Sequence, residues 1–574
     1  MNKYISKIFL VAITSLSLVS CHDLDLNPLS SGSTGNWYSS AKEIQMSVNK
    51  LYDMTYWRQE GDNQTDWSDD TVYRDALTAF ENGTINSEDW IVGLHWRTNF
   101  QMISYANGII NTYQKALDRG ANKAEVMQYV AEAHFFRAVA YGRLITRFGD
   151  VPYFTEELTI PEGMAKGRTA KSEVLKHVYE DFDYAINILP TKTTTFDRVT
   201  KGAALAYKAR TALYLGDYQT AATASKAVMD LGVYALHDNY RDLFLQHTKV
   251  SKEFIFVRPR SINMKIDVIT AGQVKNKVVR NAGGWASTDP SWNLLAAYTC
   301  TDGLPIDESP LFDSHEPFKA RDPRCAMTIV PFNEPFLGYV YNPSPAATTV
   351  LNVKTGKQEY NNDTRINKQY ASFNGLAWKK GIDESWLENG YTAENPIILM
   401  RYADVLLMYA EAKIELNEID ATVIDAMNSV RARAYGVDKA QTTSYPAFTI
   451  LPQTDMRKQL RMERRMELAG ENLRFADLIR WRLAEVVMKQ KQYGMLYPAT
   501  ECLTKVVNTG NWFWPITPDI DENGCPDFTK MEATGLIQVL SQRQWDNRQY
   551  LWPIPSKDID RKSTRLNSSH EIPS

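Results

Sequence analysis

A chain of 574 residues, 44% hydrophobic and 23% charged, can bury a large core and is too balanced in composition for a disordered polymer. Its net charge of -4 gives no reason to expect nucleic acid as a partner and offers a polyanion little general attraction. Five cysteines with no CxxC pair and no histidine at ligand spacing argue against structural zinc, and no metal or other cofactor is expected.

In chain order, Lys3 and Lys7 precede an apolar run from Ile8 to Val19 that is too short to span a bilayer, followed by Leu18-Val19-Ser20-Cys21. This predicts an export signal over residues 1–20 with a lipobox-like end, cleavage before Cys21 and acylation (palmitate) of its thiol. One acyl chain holds only marginally, so a stable anchor needs several. Asp23 and Asp25 resemble the acidic signal that sends lipoproteins to the outer face of the outer membrane. An ordinary secretory signal ending beside a cysteine is the simpler alternative. Cys300, Cys325, Cys502 and Cys525 are left to form two disulfides or to remain free and buried, and both readings stand. Asp62-Asn63-Gln64-Thr65-Asp66 contains calcium-type ligands without the rest of an EF-hand.

Helical patterning begins clearly at Ala131, where Phe135, Ala138, Val139 and Gly142 form one apolar face and Phe136, Ala140 and Leu144 a second. A helix apolar on two faces lies between neighbours. From Lys201 to Leu231, small residues (Ala206, Ala209, Ala221, Ala224) flank a Gly216-Asp217-Tyr218 turn, predicting a helix pair of tetratricopeptide type. Met400 to Ala434 repeats the design across Asn417-Glu418. Between the pairs, residues 252–395 read as long loops with short strands such as Glu253 to Val257, a texture that usually carries function. Met456 to Arg482 reads as one charged helix in which Glu463, Glu467 and Glu471 pair with Arg457, Arg461, Arg464, Arg465 and Arg474 along its length.

Fourteen Trp and thirty Tyr form the compositional oddity, many of them in polar stretches such as Trp57 to Trp67, Trp90 to Trp96 and Phe332 to Trp386, which suggests surface rings. No histidine joins a Ser or Cys nucleophile in a recognisable setting, and no phosphate loop or HExxH pattern occurs.

Several segments resemble the SusD/RagB family of outer-membrane nutrient-binding lipoproteins of Bacteroidetes. They include Cys21 with Asp23-Leu24-Asp25, Trp96 with Ala106-Asn107, Phe136-Arg137-Ala138 with Arg147-Phe148-Gly149-Asp150, Asp302-Gly303-Leu304-Pro305, and Leu399-Met400-Arg401-Tyr402-Ala403-Asp404. Further on come Glu463-Arg464-Arg465, Arg474-Phe475-Ala476-Asp477-Leu478, Arg480-Trp481 and Pro553-Ile554-Pro555. The resemblance implies a mainly α fold in which tetratricopeptide-like helix pairs form a scaffold for a loop-rich, short-strand ligand-binding face, spanning residues 21–560. Arg561 to Ser574 departs from the Asn- and Gly-rich tail of the family and reads as an artefact foreign to the fold. The resemblance also implies no catalysis. It implies capture of an oligosaccharide or polysaccharide at the cell surface and delivery to a SusC-like TonB-dependent transporter, with the lipid at Cys21 holding the protein to the outer membrane. A secreted α-helical glycoside hydrolase, a peptide-binding tetratricopeptide scaffold and a binder of other nutrients are the alternatives.

A sugar offers a polar rim and an apolar C–H face, so the expected site pairs flat aromatic rings with hydrogen-bonding side chains. Trp96 and Asn99 lie where the family carries a stacking ring and a polar partner, with burial in the helix through Phe100 and Ile103 as the alternative. Trp67, Tyr73 and Arg74 stand among Asp66, Asp69 and Asp70, where the arginine would hold hydroxyl oxygens and the carboxylates accept their protons, with a solvated acidic loop as the alternative; Trp285 follows Gly283-Gly284, glycines that would let backbone and ligand approach; Tyr339, Tyr341 and Trp378 lie in the loop region. Trp292 is expected in the core.

Overall fold

The protein is described by a computed structural model over residues 37–57, 67–74, 76–193 and 198–558. Cys21 and the leader, the 62–66 acidic run, Asp66 and the tail lie outside the described residues.

The scaffold is a continuous helical array. Helix α1 (Ala41–Leu51) and α2 (Trp90–Thr112) flank α3 (Lys123–Phe148), followed by α4 (Lys171–Ile188), α5 (Lys201–Tyr214) and α6 (Tyr218–Asp230), each packed on its neighbour. Both apolar faces of α3 are buried, as the double patterning requires, and Asn122 caps its first turn through the Glu125 amide. Gly142 is small for a reason: a Cβ there would sit 3.2 Å from the Thr211 side chain of α5. The α5–α6 seam is lined by Ala206, Ala209, Leu213, Ala221, Ala224 and Val228, all buried, and the turn between the helices places Gly216 at φ +80°.

The chain then leaves the array and returns. Strand β2 (Phe254–Arg258) leads outward and β8 (Ile397–Arg401) leads back; they pair antiparallel, so the long excursion closes on itself at its base. At Tyr402 the array resumes with α8 (Tyr402–Glu415), packed on α6, and α9 (Ala421–Ala434), whose first turn is capped by Asp420. The excursion itself holds short elements: helix α7 (Ala271–Lys277), strand β3 (Thr288–Pro290) paired with β1 (Thr71–Tyr73), and a meander of β4 (Pro335–Phe336), β5 (Tyr339–Val340), β6 (Thr349–Asn352) and β7 (Lys357–Tyr360).

Two segments differ from what the sequence predicts. The charged segment is two helices, α10 (Gln453–Leu468) and α11 (Arg474–Arg480), because Gly470 and Asn472 adopt positive φ and turn the chain between them. Glu463, Glu467 and Glu471 do not pair along the helix. Glu463 and Glu467 face inward, fully buried, where Arg431 bonds Glu463 at 2.7 Å, Arg401 bonds Glu467 at 2.7 Å, and Arg324 spans both carboxylates at 2.8 and 3.0 Å. Arg433 bonds Glu467 and Glu253, while Glu471, in the turn, takes Arg401 and Lys380. These arginines come from α9, β8 and the loop region, so the network bolts the loops to the scaffold. The acids near Trp67 are the other departure: Asp69 and Asp70 are buried, neither solvated nor open to ligand, since Arg465 bonds both at 2.8 Å and Arg474 bonds Asp69 at 2.8 Å. The four described cysteines are free and buried.

Candidate functional site

Most of the aromatic excess fills the core. Trp67 stacks on Phe80 at 4.1 Å and meets Phe475 and Trp552 edge-on; Trp96 packs against Phe100 and Phe148; Asn99, buried beside it, donates to the His95 carbonyl of its own helix. Tyr341 is buried and donates to the Gly375 carbonyl at 3.0 Å, and Trp378 is buried against Gly470. These five sequence candidates have no ring face or amide open to a sugar, because the helices and loops around them close over it. Trp292 is in the core as expected, 1% exposed.

Trp285 stands apart at 45% exposure. Its amide donates to the Lys275 carbonyl at the end of α7, and its carbonyl receives Nη1 of Arg74 at 3.2 Å and Nη1 of Arg280 at 3.1 Å. The same two nitrogens reach the Tyr370 carbonyl, at 2.9 and 3.3 Å, and Tyr370 is 55% exposed. Two guanidiniums thus bridge the backbones beneath two exposed rings, fixing Trp285 and Tyr370 as one platform. Gly283 and Gly284 serve this packing rather than a ligand: a Cβ at Gly283 would lie 2.0 Å from the Tyr391 hydroxyl, and one at Gly284 would lie 1.9 Å from the Val278 carbonyl.

Further groups extend the face. The Lys275 ammonium sits 4.6 Å from the Tyr391 ring and 6.0 Å from that of Trp285, and Lys368 lies 5.5 Å over Tyr360, itself exposed. Tyr339 on β5 is half-buried with its hydroxyl near Glu359. Tyr73, also half-buried, lies on β1 opposite Thr288, beside Arg74. Of the nine ligand candidates read from the sequence, Trp285 and Arg74 meet at the platform.

Tyr370, Arg280, Lys275 and Tyr391 were not singled out by the sequence. A signal did exist for the loop that carries Tyr370: Asn361-Asn362-Asp363 is a side-chain turn motif, and Asn361 accepts the Asp363 amide. Asp363 in turn accepts the amides of Arg280, at 2.6 Å, and Asn281, while Asn281 accepts the amide of Asn362. That reciprocal clasp holds the Tyr370 loop to the Trp285 loop.

Two buried carboxyls lie under the face. Burial pushes Asp363 up to about 6 and Asp289 up to about 7, with Ser372 and Arg74 pulling Asp289 only part of the way back. For a carboxyl raised in the folded state, the folded chain binds the proton more tightly than the unfolded chain, so stability is full at low pH and declines as pH rises from about 4 through about 7. Asp289→Asn keeps a neutral group of similar shape at every pH. It is therefore expected to raise stability at pH 8 by up to about 4 kcal/mol, and by less toward pH 4, in calorimetric melts. An equal effect at both ends of that range would contradict this account.

Fold and face together define a tetratricopeptide-like scaffold that presents a loop-built surface of exposed rings and cations. Residues 252–568 match the model of the SusD family, and residues 24–215 match a second model described as starch-binding associating with outer membrane. The chain belongs to the SusD family. A SusD-like protein of Formosa agariphila is 24% identical over 521 residues, covering 86% of this chain and 93% of its own. A SusD-like protein of Bacteroides ovatus is 19% identical, covering 83% and 82%. Among solved structures, a SusD-like carbohydrate binding protein from Bacteroides fragilis superposes with a TM-score of 0.73 at 26% identity, covering 91% of this chain and 98% of its own. Among the described residues no helix is long and apolar enough to cross a membrane.

Proposed function

We propose that this protein is a cell-surface glycan-binding lipoprotein that captures oligosaccharide without cleaving it and passes it to a SusC-like TonB-dependent transporter. The observation that carries the reading is the Trp285–Tyr370 platform: two exposed rings bridged by Arg74 and Arg280, which offer flat faces for sugar C–H surfaces beside guanidiniums that can donate to hydroxyl oxygens. The match to a model described as starch-binding associating with outer membrane supports both the ligand class and the location, as does the likeness to a carbohydrate binding protein of Bacteroides fragilis. Cys21 would carry the lipid, residues 21–560 would form the mature fold, and the helical array would dock the transporter. Against a hydrolase stands the employment of Glu463, Glu467 and Glu471 in buried arginine pairs, which leaves them unable to act as acid and base.

The test is calorimetric titration of the purified protein with a panel of polysaccharides and their oligosaccharides, with product analysis of the same samples. Binding with the sugar recovered intact supports capture. Shortened products would replace it with hydrolysis, and silence across the panel would move the ligand to peptides or other nutrients.

A further inference from the structure

The platform is more cationic than the chain as a whole. Although the protein carries a net charge of -4, Arg74, Arg280 and Lys275 converge on the two exposed rings. Neither Arg280 nor Lys275 forms an ion pair among the described residues: Arg280 Nη1 is spent on two carbonyls, its Nε is buried with no hydrogen-bond partner, and Lys275 faces the rings of Tyr391 and Trp285. The contrast with the interior is sharp, since Arg324, Arg401, Arg431 and Arg433 are each matched by carboxylates at hydrogen-bond distance. Two buried carboxyls, Asp363 acting on Arg280 and Asp289 acting on Arg74, offset part of this charge, but the oxygens of Asp363 are bonded to the backbone amides of Arg280 and Asn281 rather than to a guanidinium.

Two guanidiniums sharing the same acceptors repel each other. Burial first, and then the Arg74 charge, lower the Arg280 guanidinium from its ordinary value, so a bound anion would relieve the strain on the pair. A planar guanidinium suits the oxygens of a carboxylate or a sulfate, and a ring beside it takes the sugar face.

Resting on the glycan-capture reading, we infer that the ligand is an acidic glycan, its carboxylate or sulfate held by Arg280 with Arg74 and Lys275 while its rings lie on Trp285 and Tyr370. Overall net charge misses this selectivity because it averages over the molecule, whereas a ligand on the platform meets only the charges within about 10 Å of it.

The experiment titrates the purified protein with three sets of oligosaccharides: unsulfated uronic-acid chains, sulfated chains without uronate, and neutral glucans. Each is measured at about 0.05 M and about 0.5 M salt. An acidic set is expected to bind at least about tenfold more tightly than the neutral one, weakening with salt. Arg280→Ala and Lys275→Ala are expected to remove that preference, and Arg280→Lys to keep part of it, all with melting temperatures compared to the parent. A response to the uronic-acid set alone identifies carboxylate as the anion, and to the sulfated set alone identifies sulfate. Neutral glucans binding as tightly as acidic ones, indifferent to salt and to Arg280→Ala, would overturn the acidic preference and leave glycan capture intact. No binding of any set would overturn capture itself.

Discussion

Trp285→Ala is expected to weaken glycan binding by at least about tenfold, and Trp285→Ala with Tyr370→Ala to abolish it in the titration range, while the melting temperature stays near that of the parent. The expectation follows from exposure. A ring 45% open to solvent contributes little to the core, so its removal leaves no cavity, and the backbone bonds that fix the loop run through the Trp285 carbonyl, which alanine keeps. Sugar stacking loses both the ring area and the geometric preference of the C–H face for the π cloud, worth about 0.5 to 1.5 kcal/mol beyond the area itself. Trp96→Ala should behave in the opposite way. That ring is 9% exposed and wedged between Phe100 and Phe148, so its loss is expected to cost about 3 to 5 kcal/mol of stability without selectively affecting the ligand. If Trp96→Ala removes binding at unchanged stability while Trp285→Ala binds normally, the site has been put on the wrong face.

Glu467→Ala is expected to destabilise the protein by about 3 to 5 kcal/mol, read as a shift in a urea or thermal unfolding curve. Burial alone would raise the Glu467 carboxyl, but the charges of Arg433, Arg401 and Arg324 overcome it and hold the group well below the usual carboxylate range. Truncation leaves three buried guanidiniums facing one another with one carboxylate fewer among them, a cost far larger than the value of any single pair. The acid side follows the same sign. A carboxyl lowered in the folded state contributes stability that is present above its ordinary value and is lost as pH falls below about 4.5. The exposed pair Lys505–Glu501 serves as the internal comparison: Glu501→Ala is expected to change stability by less than about 1 kcal/mol. Equal effects at the two sites would contradict the view that the network joins the loop region to the scaffold.

What the sequence made legible divides along physical lines. Helix pairs announce themselves through local periodicity, and the alanine seam of Lys201 to Leu231 carries its own turn, so the scaffold could be read directly. The break at Gly470 was legible in principle, since glycine and Asn472 together mark a left-handed turn, but a run of regularly spaced Glu and Arg imitated a continuous helix. The partners of those acids could not be read at all, because Arg324 and Glu463 stand 139 positions apart and meet only when the excursion folds back. The aromatics misled for a related reason. Trp67 and Trp378 lie in polar local sequence, yet tertiary packing buries them, whereas Tyr370 sits in an unremarkable Asn-rich loop and is raised to the surface by the clasp of Asp363 on the Arg280 and Asn281 amides. Of the residues that form the exposed platform, only Trp285 and Arg74 had a local signature strong enough to be named.

The most direct measurement is a structure of the protein with the tightest-binding oligosaccharide from the titrations. The expected result is an intact sugar chain with one ring stacked on Trp285 or Tyr370 and an oxygen of the ligand within hydrogen-bond reach of Arg280. An oligosaccharide seated elsewhere on the molecule, with the Trp285–Tyr370 platform bare, would contradict it.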